Sequence, residues 1–533
     1  MPACVPVAKP HGGAKQQAIA PPAPVHDASD ELFEQPATLQ IKIELASQQE
    51  QLLREDPRRY VRAKLIENGG KEYRDVAIKL KGAAGSFQDL DGKPGFTLNA
   101  GKFSKEQRFH ALDKFHLNNS VQDDTYLNEA LAGELCRAAG VPAARVTHAR
   151  ISLNDRDLGL YVLKEGFDEG FLKRHFGDAS GNLYDGGFCV DIDTELEKDG
   201  GNGPNDLSDL KALLEACRTE NPDDRWTRIA ERLDVDAFLK FMALELMMCH
   251  WDGYTPNKNN YRIYFDPASK QARFLPHGMD QMFQDPGFPI WPQPASIVAA
   301  AVMENPHWRE RYHEQVKSLL PLFSAEALQK RVDELDKRLL PAFTSMEDGA
   351  AEQHSEAVRQ LKERLVARAA SLREQIAQPD PGPQPPVVPM PLEFNEEGIA
   401  ELDDWYPHEP GDNKLEPVES DGKVELLIEV GESGQCLAAW RQRVLLAQGK
   451  YRFEARLRTL GVDPISDDKG SGAGLRISGA SRDNALSGDS DWQQALFDFE
   501  ITDEMGEVEL VAELRATKGQ LWIELPLKLR KLE

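Results

Sequence analysis

The chain has 533 residues, with 63 Lys and Arg against 89 Asp and Glu, for a formal net charge of −26. That balance excludes a general nucleic-acid binder, which needs a basic face to neutralise phosphates, and no stretch approaches the ~18 uninterrupted apolar residues of a membrane-spanning helix. The length allows roughly three or four domains, while six cysteines without a CxxC pair support neither a zinc ribbon nor a disulfide framework.

Residues 1–36 are rich in Ala, Pro and Gly and read as a disordered leader without the apolar core of a signal peptide. Structure is expected from Thr38, where Leu39, Ile41 and Ile43 alternate with polar residues as in a half-buried strand. Residues 60–66 and 76–80 read as strands, with an Asn68-Gly69 turn between them. The loop Gly82-Ala83-Ala84-Gly85-Ser86 leads to a strand at 96–98. Leu127, Ala130, Leu131 and Leu135 recur at helical spacing within 125–139, and Gly140 closes the pattern. Strands at 147–153 and 158–163 complete an N-terminal region of 37–165.

Helix dominates 166–377, with expected helices at 208–217, 223–233, 236–251, 307–320, 324–340 and 351–377, and Asp234 or Asp236 capping the third. Two short strands, 261–265 and 273–275, interrupt them. The Pro-rich stretch 378–391 cannot be helical and reads as a semi-rigid linker. Residues 392–533 read as many short strands between Gly, Asp and Ser turns, the pattern of an all-β sandwich.

The densest polar cluster lies in the most apolar context. A helix ends at Cys249 and runs into His250-Trp251-Asp252-Gly253, then Asn257 and Asn260, then a strand; the next strand delivers His277-Gly278-Met279-Asp280. Such an arrangement presents one carboxylate to an attacking hydroxyl while an amide and a second carboxylate hold Mg²⁺ on a phosphate chain. The competing reading is a polar turn, because Asp252-Gly253 is a common turn dipeptide. Another takes His250 with Asp252 and His277 with Asp280 as the metal centre of a phosphohydrolase.

Six segments, KGAAGSF (81–87), KPGFTL (93–98), FHLNNSVQDDTYLNEALAGEL (115–135), LNDRDLGLYVLKE (153–165), HWDGYTPNKNNYRIY (250–264) and FLPHGMDQMF (274–283), occur in order. In this combination the chain resembles the spore-coat protein H (CotH) family of atypical protein kinases. The resemblance implies an α+β, kinase-like two-lobed domain with a helical extension, binding ATP and Mg²⁺ or Mn²⁺. It places Asp252 as the catalytic aspartate and Asn260 and Asp280 as metal ligands. Asn260 lies eight positions after Asp252 rather than the usual five, so Asn257 competes with it, and Asp280 is followed by Gln281-Met282 rather than Phe-Gly.

Phosphate contacts need a cation and backbone amides. Lys93 is the first candidate, with Lys81 and Lys79 behind it, and the loop ending at Ser86 is a candidate phosphate cover. Glu134 or Glu129 of the 125–139 helix would pair with the lysine, and Glu165 falls where a hinge would meet adenine. The acceptor implied is a Ser or Thr hydroxyl of a protein, basic on electrostatic grounds. An exported or cell-surface location accords with the resemblance, but the sequence leaves it open.

The C-terminal region resembles the jelly-roll carbohydrate-binding modules appended to secreted enzymes, which implies a polysaccharide ligand. Trp405 and Tyr406 are the ligand candidates there, Trp492 and Trp522 being expected in the core, and the acidic turns at 466–468 and 487–491 read as solvated loops. A non-catalytic kinase-like scaffold holding this region on a polysaccharide is the rival to the enzyme.

Overall fold

The computed structural model describes residues 27–532 apart from 36–37, 84, 344–348, 383–390, 409–411, 421, 432–433 and 467–469. The first 26 residues of the expected leader, and 383–390 of the Pro-rich stretch, lie outside the described residues. The chain divides into two compact units, Met1–Gln384 and Pro385–Glu533.

The first unit opens with α1 (Asp30–Glu34), β1 (Leu39–Glu44), α2 (Ser47–Glu55), β2 (Val61–Glu67), β3 (Lys71–Lys81), β4 (Gly95–Asn99), β5 (Lys114–Asn118), α3 (Asn128–Ala138), β6 (Val146–Leu153) and β7 (Arg156–Glu165). The strands close into a barrel in the order β1-β2-β3-β4-β5-β7-β6, sealed by parallel pairing of Ile41 with Ile151. Inward-facing Ile43, Leu65, Ile78, Phe96, Leu98, Phe115, Ile151 and Leu163 fill it, as the period-two alternation requires. Asn68 and Gly69 both take positive φ, the hairpin geometry their pairing favours.

The leader expectation fails at its end. Residues 27–35 are ordered, because Leu32 is buried and Ser29, Asp27 and Asp30 bond to Arg145 and Arg174 of the barrel unit.

Beyond the barrel come α4 (Glu169–Phe176), β8 (Leu183–Asp185), β9 (Lys198–Gly200), α5 (Ser208–Cys217), α6 (Pro222–Arg232), α7 (Val235–Met247), α8 (Tyr254–Asn257), β10 (Tyr261–Phe265), β11 (Ala272–Pro276), α9 (Ile297–Met303), α10 (Pro306–Leu319), α11 (Ala325–Phe343) and α12 (Ala350–Ala377). A small sheet, β11-β10-β8-β9, carries the polar hairpin. α7 is apolar nearly all round and buried among its neighbours, with Asp234 capping it through the Ala237 N–H at 3.0 Å. Neither this helix nor any other described one is long and apolar enough to cross a membrane.

The second unit is β throughout: β12 (Ile399–Leu402), β13 (Tyr406–His408), β14 (Lys414–Ser420), β15 (Lys423–Glu429), β16 (Cys436–Pro464), β17 (Gly472–Ile477), β18 (Gly488–Glu524) and β19 (Leu527–Leu532). Its main sheet runs β12-β19-β16-β18-β15-β14, with β13 on β16 and β17 on β18. The core holds Ile428, Trp440, Phe453, Leu457, Leu475, Leu514 and Ile523. Tyr406 is exposed, at 38%, while Trp405, Trp492 and Trp522 are all half-buried. Trp405 packs on Phe453, with ring centroids 5.9 Å apart, and donates its indole N–H to Leu402 O. Trp492 and Trp522, expected in the core, instead carry the Arg458 guanidinium over both rings. Long strands that bend show part of their aromatic face to solvent, which alternation alone does not reveal.

Candidate active site

The polar hairpin is built from an apolar helix outward. Glu245, in the interior of α7, accepts the Tyr254 N–H at 2.7 Å, the Thr255 N–H at 3.1 Å and the Thr255 hydroxyl at 2.6 Å. These are the unpaired donors at the start of α8, so a buried carboxylate fixes the loop that carries Asp252. Burial pushes that carboxyl up to about 7 against its three donors.

Asp252 is held by three amides. Its Oδ1 accepts from Asn257 Nδ2 at 2.5 Å, and its Oδ2 accepts from Asn259 Nδ2 at 3.0 Å and Asn260 Nδ2 at 2.7 Å. Asn260 also donates to the Asp252 carbonyl at 3.0 Å, so it grips both ends of the residue. Pairing of β10 with β11 then sets Asn260 O against the His277 N–H at 2.9 Å. A Cβ on Gly278 would stand 2.1 Å from Asn260 Oδ1, and Gly278 has φ +55°, so only glycine fits there. Asn260 thus touches Asp252 on one side and the turn into Asp280 on the other. Asn257 is turned the other way, donating also toward Cys189 Sγ at 3.8 Å.

Asp280 completes the hairpin. Its backbone carbonyl accepts from Asn128 Nδ2 at 2.8 Å, and no other side chain among the described residues hydrogen-bonds its carboxylate. Burial and the neighbouring Glu129 charge raise its pKa, with Lys81 and Lys164 pulling the other way. Asn260 Oδ1 likewise accepts no hydrogen bond among the described residues, leaving a carboxylate and an amide oxygen without side-chain donors.

Behind Asp280 stands a buried ionic cluster. Lys164 of β7 donates to Glu129 Oε1 at 2.8 Å; Glu129 also accepts the Met279 N–H at 3.0 Å and Asn118 Nδ2 at 3.0 Å. Asn118 in turn bonds Lys81, whose ammonium burial pushes down to about 8. Burial alone would raise the Glu129 carboxyl, but Lys164 and Lys81 outweigh it and hold it low.

Several sequence-derived candidates belong elsewhere. Lys93 bonds the Tyr126 hydroxyl at 2.7 Å and lies over the Tyr126 and Tyr161 rings, with Asp124 as its charge partner, because an aromatic pocket takes up its stem. Lys79 lies over the Tyr60 ring. Glu134 pairs with Arg331 of α11 at 2.7 Å: five residues beyond Glu129, and so about 140° further round the helix, it points to the helical extension. The Glu165 side chain is wholly buried and committed to Arg145 at 2.7 Å and Arg174 at 2.5 Å, so it belongs to a structural ion cluster. Ser86 Oγ closes its own loop on the Ala83 N–H at 3.1 Å, while Asn119 pins that loop at Ser86 O and Lys93 O; Ala84 lies outside the described residues.

Sequence reasoning missed Lys164 and Asn118 altogether. The signal for Lys164 was present: a lysine one period after Leu160 and Val162 on an apolar strand must be buried and therefore paired. The histidines are structural. His250 donates through Nε2 to His277 O at 3.2 Å, and burial pushes His250 down to about 4 and His277 well below its usual range. Among the described residues no three His, Cys, Asp or Glu side chains converge as a metal group.

Comparison with known proteins bears on the same elements. Invasin CotH2 of Rhizopus delemar is 22% identical over 307 residues, covering 50% of this chain and 50% of that one. Inner spore coat protein H of Bacillus subtilis is 22% identical over 264 residues, covering 45% of this chain and 71% of its own. The chain spans about half the length of the Rhizopus relative. Among solved structures, the Helicobacter pylori proinflammatory kinase CtkA aligns at 10% identity and TM-score 0.27, covering 50% of this chain and 93% of that one. A structure titled for CBM4 aligns at 14% identity and TM-score 0.19, covering 26% of this chain and 100% of that one. The family described as CotH kinase protein matches residues 78–372, from inside β3 to the last turns of α12. Asp252, Asn260, Asp280 and the Lys164–Glu129 pair all fall within that span, and the chain belongs to the CotH kinase protein family.

Proposed function

We propose that this protein is an atypical protein kinase, transferring the γ-phosphoryl group of ATP to a Ser or Thr hydroxyl of a protein. The observation that carries the reading is Asn260, which bonds the Asp252 carboxylate and abuts the turn into Asp280. The barrel and the helical region are the two lobes in this reading, with ATP between them.

Asp252 orients the acceptor hydroxyl and takes its proton as the oxygen attacks the γ-phosphorus and the bond to the β-phosphate oxygen breaks. The free oxygens of Asp280 and Asn260 are the hard donors that suit Mg²⁺ or Mn²⁺, ions that keep much of their shell for water and phosphate. Bound there, such an ion supplies charge neutralisation on the phosphate chain. Asn260 rather than Asn257 is the amide ligand, because Asn257 faces away from Asp280. Lys81, whose ammonium feels the Asp280 charge and has no carboxylate in direct contact among the described residues, is the phosphate lysine, and Lys164–Glu129 holds its surroundings rigid.

The acceptor is read as a basic segment with an apolar residue. Trp251 is 46% exposed beside Asp252, and Phe188 is 56% exposed next to Cys189, which touches Asn257. A net charge of −26 favours basic partners. Transfer from γ-labelled ATP into a basic Ser/Thr peptide, with and without Mg²⁺ or Mn²⁺, tests the proposal; label that is absent, together with absent ATP binding, sinks it.

For the C-terminal unit we infer a jelly-roll module that binds a saccharide. Trp492 and Trp522, half-buried beneath Arg458, give the apolar faces on which sugar rings stack.

A further inference from the structure

The second unit contains a cavity of about 480 Å³ away from any contact of Trp492 or Trp522, lined by Arg476, Ser481, Arg482, Asp483, Glu513 and Arg515 among others. Three arginines converge on one carboxylate there. Glu513 accepts from Arg476 at 2.9 Å, Arg482 at 2.9 Å and Arg515 at 3.1 Å. The Arg482 and Glu513 side chains are 1% and 3% exposed, so this is a built interior group.

Two features set the cluster apart from a closed structural ion network. Among the described residues charge is unbalanced: three guanidinium groups face Glu513 and Asp483, an excess of one positive charge around the cavity. Donors are also left over. Arg482 Nη1 and Arg476 Nε are buried with no hydrogen-bond partner among the described residues, although Arg482 Nη2 reaches Gly472 O at 2.8 Å and Arg476 Nη1 reaches Ile477 O at 3.2 Å. Neither atom faces open space, so the groups a ligand carboxylate meets are the outer guanidinium edges of Arg515 and Arg476, 37% and 11% exposed. Burial depresses the Arg482 pKa beyond what Glu513 restores, in keeping with an under-compensated cation.

At the mouth, Ser481 and Asp483 are exposed, and Asp483 makes no hydrogen bond among the described residues. A hydroxyl and a free carboxylate beside an arginine cluster suit a ligand that carries both an acid and several hydroxyls. The cavity volume is of the size that takes one or two sugar rings. In a chain of net charge −26, such a patch is not a by-product of general basicity.

We infer that this cavity binds the carboxylate of a uronic acid residue, so that the unit selects acidic over neutral saccharides. The inference rests on the saccharide-binding reading of this unit and adds the site and the ligand charge.

The test is calorimetric titration of the full chain with trisaccharides ending in D-glucuronate or D-galacturonate, beside their methyl esters, neutral trisaccharides and inorganic sulfate. The expected result is that a uronate binds at least about ten-fold more tightly than its ester, as a charge-assisted bidentate contact allows. That preference disappears in Arg515→Gln and in Arg482→Lys while Arg452→Gln, at a surface pair with Asp498, leaves it in place. Arg515, the most exposed of the three, keeps the test valid if Arg482→Lys unfolds. Equal binding of acid and ester, a preference that survives Arg515→Gln, or sulfate binding as tightly as the uronate each overturns the inference. Neutral saccharides binding without any acid preference overturns this inference alone; no binding of any saccharide overturns it together with the reading beneath it.

Discussion

Lys164 Nζ lies 2.8 Å from Glu129 Oε1 with side chains 1% and 2% exposed, so strand β7 and helix α3 are joined by an ion pair withdrawn from water. Asn118 and the Met279 N–H also donate to Glu129, which ties β5 and the segment before Asp280 to the same carboxylate. The pair therefore fixes the barrel wall relative to the hairpin residues at its back.

Breaking that pair is expected to be severe. Glu129→Gln or Lys164→Met leaves one buried charge without its partner, a loss of about 3–5 kcal/mol. Glu134→Gln, on another face of the same helix, removes a partly exposed bridge to Arg331 and should cost under about 1 kcal/mol with phosphoryl transfer unchanged. Urea unfolding of the three variants separates them; a similar loss for Glu129→Gln and Glu134→Gln would refute the assignment.

Asp280 and Asp252 should part company on stability. Asp280→Asn removes a carboxylate that burial already disfavours and that no side chain bonds, so thermal stability is held or raised while metal-dependent ATP turnover falls by about a hundred-fold or more. Asp252→Ala strips the acceptor from Asn257, Asn259 and Asn260 and lowers both. Melting curves beside turnover decide the point: an Asp280→Asn protein that melts well below the parent contradicts it.

Glu245 carries a pH signature. Its carboxyl titrates at about 7 in the folded chain against an ordinary 4.5. Between those values the unfolded state holds fewer protons, so this residue makes stability fall as pH rises from 4.5 to 7 and then level off, by about 3 kcal/mol in all. Glu245→Gln lacks that slope, so its stability relative to the parent should improve steadily across the window. A difference that stays flat from pH 4.5 to 7 argues that the carboxylate is ionised throughout.

Glu165→Gln should disturb folding and leave nucleotide affinity intact. The side chain neutralises Arg145 and Arg174, both also bonded to the 27–30 segment, and its loss is worth about 3–5 kcal/mol. ATP affinity of the folded fraction, measured by fluorescence titration at low temperature, should match the parent; a ten-fold drop would return Glu165 to the nucleotide site.

The strands and helices that bracket the hairpin were legible because local chemistry dictates them. Asn68-Gly69 demands a tight turn, Leu127, Ala130, Leu131 and Leu135 demand a helix, and the run of polar residues after Cys249 interrupts a strongly apolar one. The partner of each charge was not legible. Lys93 and Lys81 look alike in sequence, and only the barrel register sends one into a tyrosine pocket and the other toward Asp280. Glu129 and Glu134 share a helix, and rotation about its axis decides which meets Lys164 and which Arg331. Trp492 and Trp522 were misjudged for a related reason, since the bend of β16 and β18 sets which face of each strand is covered.

The parallel seam between β1 and β6 also dictates when this unit can be finished. Leu45 N–H bonds Asn154 Oδ1 across 109 residues of chain, and β2 through β6 are laid down between them. On the ribosome, β1 through β5 must emerge with an open edge and wait until β6 and β7 follow, a delay of several seconds at translation speeds of about 5–20 residues per second. Until then the apolar alternation of β1 is a sticky edge. Slowing synthesis just before residue 146 should therefore raise aggregation of the nascent chain more than a pause after residue 165, where β7 ends and the barrel has its full set of strands.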